Sequence, residues 1–370
     1  MRTQPPTVLR ESPPAAPAAT RMGTIIRPST PGDAPRLVEL LAEVFGLAPN
    51  APIFEPAFLY WKYWQPRADW RGARSFVLAR GDAILAHAGL VPGVCAWERQ
   101  RLRTLHLVDW AARPGAMGGG LALLKHIRRL GEALLAIGGS EHTMGIMAAL
   151  GSRSYGTAAR FVRPLRPLRR LIGAPRWTWR LVPQVARSAA WAVAAPSPDV
   201  APNWELRRVP NPIPDACLPP LPSPRPGMAV MERSAAILCH ALGCPTARMA
   251  LHLVQRDGRV RGYCLLAFLP GQARIVDCWI DAPDPEQWRA LIHLTVRLAR
   301  REESEAELVA VASDPLFASC LGACGFHPRR TMPVQLLTSG SQIPPEFALR
   351  VQLIDDDEAY YRVDRNSFWA

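Results

Sequence analysis

The stretch TLHLVDWAARPGAMGGGLALLKHIRRLGEALLA, Thr104 to Ala136, decides how this chain of 370 residues is read. Leu105 to Ala112 is apolar and half-alternating, which predicts a strand. Arg113-Pro114-Gly115 breaks it, and Gly118, Gly119 and Gly120 lead into a helical pattern. There Leu121, Leu124, Ile127, Leu130 and Leu134 recur at helical spacing, with Lys125, Arg128, Arg129 and Glu132 on the other face. Glycines at a helix start remove the Cβ atoms that would block close approach, and first-turn N–H groups lack intrahelical partners. With the positive end of the helix dipole, those donors suit a phosphate or diphosphate. The same residues also fit a glycine-rich turn that binds nothing.

No Lys-Ser or Lys-Thr follows the glycines, which excludes a nucleotide P-loop, and G-x-G-x-x-G has no match in register. The stretch resembles the pyrophosphate loop of the GNAT (Gcn5-related) N-acyltransferases, whose motif is Gln/Arg-x-x-Gly-x-Gly/Ala between the fourth strand and the next helix. Here it falls on Met117-Gly118-Gly119-Gly120-Leu121-Ala122. Gly120 and Ala122 match, and Met117 stands where Gln or Arg is usual. The resemblance implies acetyl-CoA or another acyl-CoA as co-substrate. It puts the diphosphate on Met117 to Ala122 and the thioester beside a splayed or bulged strand at Asp109, Trp110, Ala111 and Ala112.

Outward from this stretch, Thr24 to Arg27 predicts a strand and Thr30-Pro31-Gly32-Asp33 a helix start, with Thr30 as N-cap. FEPAFLYWKYWQP predicts a second helix whose Tyr60, Trp61, Tyr63 and Trp64 belong either to the core or to the wall of an acceptor groove. A hairpin follows, Ser75 to Ala79 and Ala83 to Val94. Beyond the glycine-led helix come a strand at Leu134 to Ile137, a helix from Glu141 to Leu150 and a strand at Thr157 to Val162. Strand, two helices, three strands, helix, strand, helix, strand is the GNAT order.

The carboxyl half repeats the plan. Gly227 to Leu242 reads as helical, Met249 to Gln255 and Arg259 to Phe268 as a hairpin, and Ala273 to Ile280 as a strand. Val108-Asp109-Trp110 corresponds to Val276-Asp277-Cys278, and Ser140-Glu141 to Ser313-Asp314. An internal duplication explains this agreement. The second copy has DAPDPEQW where the first has glycines, and Asp284 and Glu286 would repel a diphosphate. The expected fold is therefore mixed α/β: two tandem GNAT-like domains, each a mixed, mostly antiparallel sheet flanked by helices. Their bounds are a disordered segment 1–22, an acyl-CoA-binding domain 23–164, a connector 165–226 and a degenerate second domain 227–370.

Of 44 basic residues only Lys62 and Lys125 are lysine, so the net charge of +13 looks like the arginine bias of a GC-rich bacterial genome. No nucleic-acid motif accompanies it. The eight cysteines form no C-x-x-C pair and read as small buried thiols of a reducing, cytoplasmic protein. The Pro/Ala-rich amino terminus has no apolar run, so neither a signal peptide nor a membrane span is expected there. From Arg160 to Arg187 eight arginines and no carboxylate are interleaved with apolar residues, among them Trp177 and Trp179, with Trp191 just beyond. The segment Arg163 to Trp191 is open to two readings, a peripheral contact with the inner membrane face or a connector packing its tryptophans on both domains.

Acyl transfer to an amine needs a base, donors that polarise the thioester carbonyl and an acid for the leaving thiolate. Asp109, Glu141 and His142 are the candidate bases; Asp109 recurs as Asp277, which also fits a shared structural hydrogen bond, and Ser140-Glu141 fits a plain helix cap. The family's tyrosine acid is absent, since Met147 and Leu321 occupy its position, leaving Tyr155 as the nearest phenol. His87 and His106 alternate with apolar residues without metal-ligand spacing and read as core or cleft-lining. The tail Asp355-Asp356-Asp357-Glu358 reads as a cation ligand or a solvated terminus. The resemblance implies an N-acyltransferase acting on an amine, with an amino sugar of cell-surface polysaccharide as a candidate acceptor. A non-catalytic scaffold and an aminoacyl-tRNA-dependent Fem-type transferase are the alternatives.

Overall fold

The computed structural model of the chain describes residues 23–171, 181–214, 217–302, 305–340 and 343–362. The expected disorder of 1–22, and Trp177 and Trp179, lie outside the described residues. The first half opens with β1 (Ile25–Pro28) and α1 (Ala34–Phe45), the latter ended by Gly46 in the left-handed region at φ 63°. A short α2 (Pro56–Leu59) opens into a π-helical turn, Tyr60–Trp64. The buried Arg74 guanidinium donates to the carbonyls of Lys62 (2.7 Å), Trp61 (3.0 Å) and Gln65 (2.6 Å), supplying partners that the widened turn lacks. Then follow β2 (Ser75–Arg80), β3 (Ala83–Trp97), β4 (Gln100–Ala112), α3 (Gly119–Ile127), β5 (Ala133–Ile137), α4 (Glu141–Ala149) and β6 (Arg153–Pro164).

Between the halves lie α5 (Leu181–Ala194) and β7 (Trp204–Arg208). The second half comprises β8 (Met228–Met231), α6 (Ala235–Leu242), β9 (Arg248–Arg256), β10 (Arg259–Leu269), β11 (Gln272–Ile280), α7 (Pro285–Arg301), β12 (Glu307–Ala312), α8 (Pro315–Ala323), β13 (His327–Thr338) and β14 (Ala348–Arg350). Gly227 to Leu242 is thus not one helix. Met228–Met231 is drawn into pairing with β14 and β3, and Ser234 starts α6 by accepting the amide of Ile237 at 3.2 Å.

The halves do not close their sheets separately. Strand order runs β1-β2-β3-β4-β5-β13-β6-β12-β11-β10-β9-β7. β6 of the first half and β13 of the second are exchanged between the wings: β13 pairs antiparallel with β5, β6 with β12, and β13 with β6 at the centre. One continuous sheet results, with a pseudo-twofold relation between its wings. No helix among the described residues is long and apolar enough to cross a membrane.

The segment Arg163 to Trp191 is engaged with the rest of the protein at both named ends. Arg163 is fully buried, donating to Cys324 O and, at 2.7 Å, to Pro196 O, while Trp191 stacks on His327 with ring centroids 4.0 Å apart. Of its two readings, the acidic tail departs from that of a solvated terminus. Leu353, Ile354, Ala359 and Tyr360 are buried and carry the intervening carboxylates inward to buried cations. Arg233 links Asp355 (2.8 Å) and Asp277 (2.9 Å), and Lys62 links Asp357 and Asp109. The cysteines follow their reading: six are buried, and Cys217 and Cys239 are half-buried.

Removing one partner of a buried cluster leaves uncompensated charge, so Arg233→Met is expected to cost roughly 3–5 kcal/mol in urea unfolding. Arg248→Met, on the exposed Arg248–Glu302 pair at 2.7 Å, is the control. It should cost about 1 kcal/mol or less. Equal losses would contradict the assignment.

Candidate functional site

The cleft is built by one irregularity in β4. Between the pairs His87↔Ala111 and Gly89↔Val108, two residues of β4, Asp109 and Trp110, face one residue of β3. This is a β-bulge, and it re-aims the strand. Asp109 adopts φ 47°, a left-handed conformation for a residue with a Cβ. That costs of order 1–3 kcal/mol and persists only where the surroundings over-determine it.

Those surroundings are on both sides of the residue. The Asp109 carboxylate accepts from Tyr63 Oη and pairs with Lys62, which also pairs with Asp357. Burial opposes the Lys62 charge, but the two carboxylates outweigh it and raise its pKa. Burial raises the pKa of the Asp357 carboxyl, with Lys62 opposing. The Asp109 carbonyl accepts from His87 Nδ1 at 3.0 Å. Behind it a chain runs from Trp64 Nε1 to Ser29 Oγ (3.0 Å), Ser29 Oγ to Ser75 Oγ (2.6 Å) and Ser75 Oγ to His87 Nε2 (2.9 Å). This directionality assigns the imidazole proton to Nδ1. Burial brings the His87 pKa down to about 4, so the ring is neutral.

Just before the bulge, β4 and β5 part. Their parallel pairing extends only from Thr104↔Ala133 to His106↔Leu135. The opening is a cavity of about 390 Å³, lined on one side by His106 to Trp110 and on the other by Ala136 to Ser140. Val44 and Phe45 of α1 close one end, and Asp356 and Asp357 of the tail another. Nearby, α3 begins at Gly118, φ 74°, where an added Cβ would meet only open space. Gly119 N is used by Ala116 O and Ala122 N by Gly118 O, while the amides of Gly120 and Leu121 have no backbone acceptor among the described residues. An open strand edge thus lies beside free helix-tip amides, donors suited to an anionic group. Met117, 96 % exposed, offers that site no charge.

The twin cleft is filled. In β11, Val276 is the bulged residue, between Leu265↔Asp277 and Leu266↔Ile275. Asp277 repeats Asp109, accepting from Tyr263 Oη at 2.5 Å and from Arg233. However, Gln352 occupies the backbone of Cys278, accepting from its N and donating to its O, both at 2.9 Å. Arg350 donates to the same carbonyl at 2.6 Å, and its guanidinium lies over the rings of Trp279 and Trp288. Ser313 holds the plug by donating to Leu349 O (2.7 Å) and accepting from Val351 N (2.8 Å). At the α7 tip, Asp284 already takes the amide of Glu286 at 2.9 Å.

The sequence-derived candidates do not converge. Asp109 is at the bulge, in a structural ion cluster of the kind its recurrence suggested. Glu141 and His142 are exposed on the first turn of α4 and do not line the cavity, although Ser140 and Thr143 do. Tyr155 is buried with its hydroxyl donated to Ile343 O at 2.8 Å, so it is committed elsewhere. Trp110, Ala111 and Ala112 follow the bulge, with Trp110 Nε1 donating to Gly120 O at 3.1 Å. Lys62 was not among the candidates, while His106 has the reading of a core or cleft-lining residue and Asp356 and Asp357 that of a cation ligand or solvated terminus. The apolar residues flanking the tail acids were the available signal.

No family model and no curated protein matches the sequence. Solved structures do match its fold. A GCN5-related N-acetyltransferase from Anabaena variabilis aligns with 85 % of this chain and 72 % of its own, at 11 % identity and a TM-score of 0.53. A tandem GNAT protein from the clavulanic acid biosynthesis pathway aligns with 87 % of this chain and all of its own, at 14 % identity and 0.50. Saccharomyces cerevisiae N-myristoyltransferase, solved with myristoyl-CoA, aligns with 88 % and 82 %, at 14 % identity and 0.54. The chain has a GNAT fold, in tandem form.

Burial also depresses the pKa of His240, to about 3, and of His252, to about 4. With His87 these rings take up protons near pH 6.5 when unfolded and only near 3–4 when folded. Their contribution is complete above pH 6.5 and declines as pH falls toward 4. The urea midpoint should therefore drop between pH 7 and pH 5, and a level or rising midpoint would contradict the assignment.

Proposed function

We propose that the first cleft binds an acyl-CoA and that the chain transfers its acyl group to an amine. The observation that carries this reading is the contrast between two related clefts, one open beside a glycine helix tip and the other plugged by its own chain. In this reading the amides of Gly120 and Leu121 hold the diphosphate, and the backbone from Val108 to Trp110 faces the thioester. The bound thioester supplies an activated acyl carbon. Asp109 is a positioning residue: with Lys62, Tyr63 and His87 it keeps the bulge in shape, so that strand donors stay pre-aimed at the carbonyl. A scaffold role leaves the open cavity without a use, and transfer from aminoacyl-tRNA does not need the Gly118–Gly120 turn.

Acetyl-CoA should raise the thermal midpoint of the parent protein, since a ligand at 100 times its Kd adds about 2.7 kcal/mol. Gly120→Glu should abolish the shift, because the added Cβ lies 3.4 Å or more from its neighbours while the carboxylate repels the diphosphate. No shift in the parent, or an equal shift in the variant, would overturn the donor site.

A further inference from the structure

A second cavity lies on the seam between the halves. It is about 60 Å³ in volume and shares His106, Asp356 and Asp357 with the acyl cleft as a common wall. It also shares Pro92, Gly93 and Arg233 with an outer depression of about 220 Å³. We propose that this cavity admits the acceptor, and that the acceptor is a primary amine on an unbranched stem, received at His106, Asp356 and Asp357. The proposal rests on the donor reading above.

Three observations support it. His106 is 3 % exposed, faces both cavities, and its Nδ1 has no hydrogen-bond partner among the described residues. A buried polar atom left open in this way is costly unless a ligand or water meets it. Secondly, the charges favour a cation. Lys62 stands between Asp109 and Asp357, and Arg233 between Asp277 and Asp355, while the other two cations of the lining are turned elsewhere, Arg67 to Asp69 at 2.5 Å and Arg74 to backbone carbonyls. Asp356 adds a further acid to the shared wall. Thirdly, the size is restrictive. At 10–15 Å³ for each water-sized position, the cavity holds about four to six such positions. That suits a short methylene stem along Trp61, Val91, Met231 and Ile237, and is too narrow for a hexose ring with its hydroxyls.

The step balances. The acceptor ammonium gives one proton to His106 Nδ1. The amine nitrogen then forms the C–N bond to the thioester carbonyl carbon as the C–S bond breaks, and the nitrogen's second proton leaves with the thiolate as thiol. The products are an amide, a free thiol and an imidazolium that returns its proton to water.

The test uses the full chain with acetyl-CoA and, as probes, cadaverine and glucosamine. Amide formation is read by mass spectrometry, and acetyl-CoA binding is measured in parallel. Cadaverine should exceed glucosamine in kcat/KM by about tenfold or more. Gly93→Val introduces side-chain atoms at the passage, where a Cβ lies 3.0 Å from Met231 Cε, a flexible side-chain end. It should raise the KM for cadaverine about tenfold while acetyl-CoA still binds. His106→Gln should lower kcat with acetyl-CoA binding retained. Preference for glucosamine, acetylation of neither amine despite acetyl-CoA binding, or an unchanged KM in Gly93→Val would each overturn the proposal. Failure of acetyl-CoA to bind would overturn the donor reading and this inference with it.

Discussion

Two buried cations, Lys62 and Arg233, each held between two carboxylates, are what the rest of the structure depends on. In each cluster one carboxylate belongs to a bulged strand, Asp109 or Asp277, and the other to the tail, Asp357 or Asp355. A tyrosine hydroxyl completes each strand carboxylate's shell. Ion pairs so far from water are poor sources of net stability, yet breaking one is severe. Their effect is geometric. They fix the conformation of both bulges and clamp the tail along the seam, over a sheet that already interleaves the halves by exchanging β6 and β13.

From this common frame the two clefts diverge. The tail runs first through the second cleft, where Arg350 and Gln352 satisfy the backbone at Cys278, and then to the first, where Asp356 and Asp357 form only part of the wall. One segment therefore closes one site and furnishes the other. Gly118–Gly120 against Asp284–Glu286 makes the same division at the helix tips. The two halves present similar frames, a bulged strand whose aspartate meets a buried cation, and a few residues at each decide whether a ligand has room.

Much of the fold was legible because it is local. A strand, three glycines and an amphipathic helix are written within Thr104 to Ala136, and the recurrence of Asp109 as Asp277 announced a shared structural hydrogen bond. What escaped depends on distant partners. β6 and β13 carry the pattern of any half-buried strand, and nothing in that pattern says which neighbour each will take. Four acids in succession left a cation ligand and a solvated end both open; Leu353, Ile354, Ala359 and Tyr360 bury them, and only the fold brings Lys62 and Arg233 to meet them. Glu141 and His142 follow the correct strand but lie on the exposed side of its cap. The alternation of His106 with apolar residues left core and cleft-lining both open, and only the fold shows it lining two cavities.

The central claim is that one cleft is open to a donor and its twin is closed by the chain's own tail. Counting bound acetyl-CoA by equilibrium dialysis at saturating ligand tests it most directly. The account predicts one molecule per chain, and a count of two or of none would contradict it.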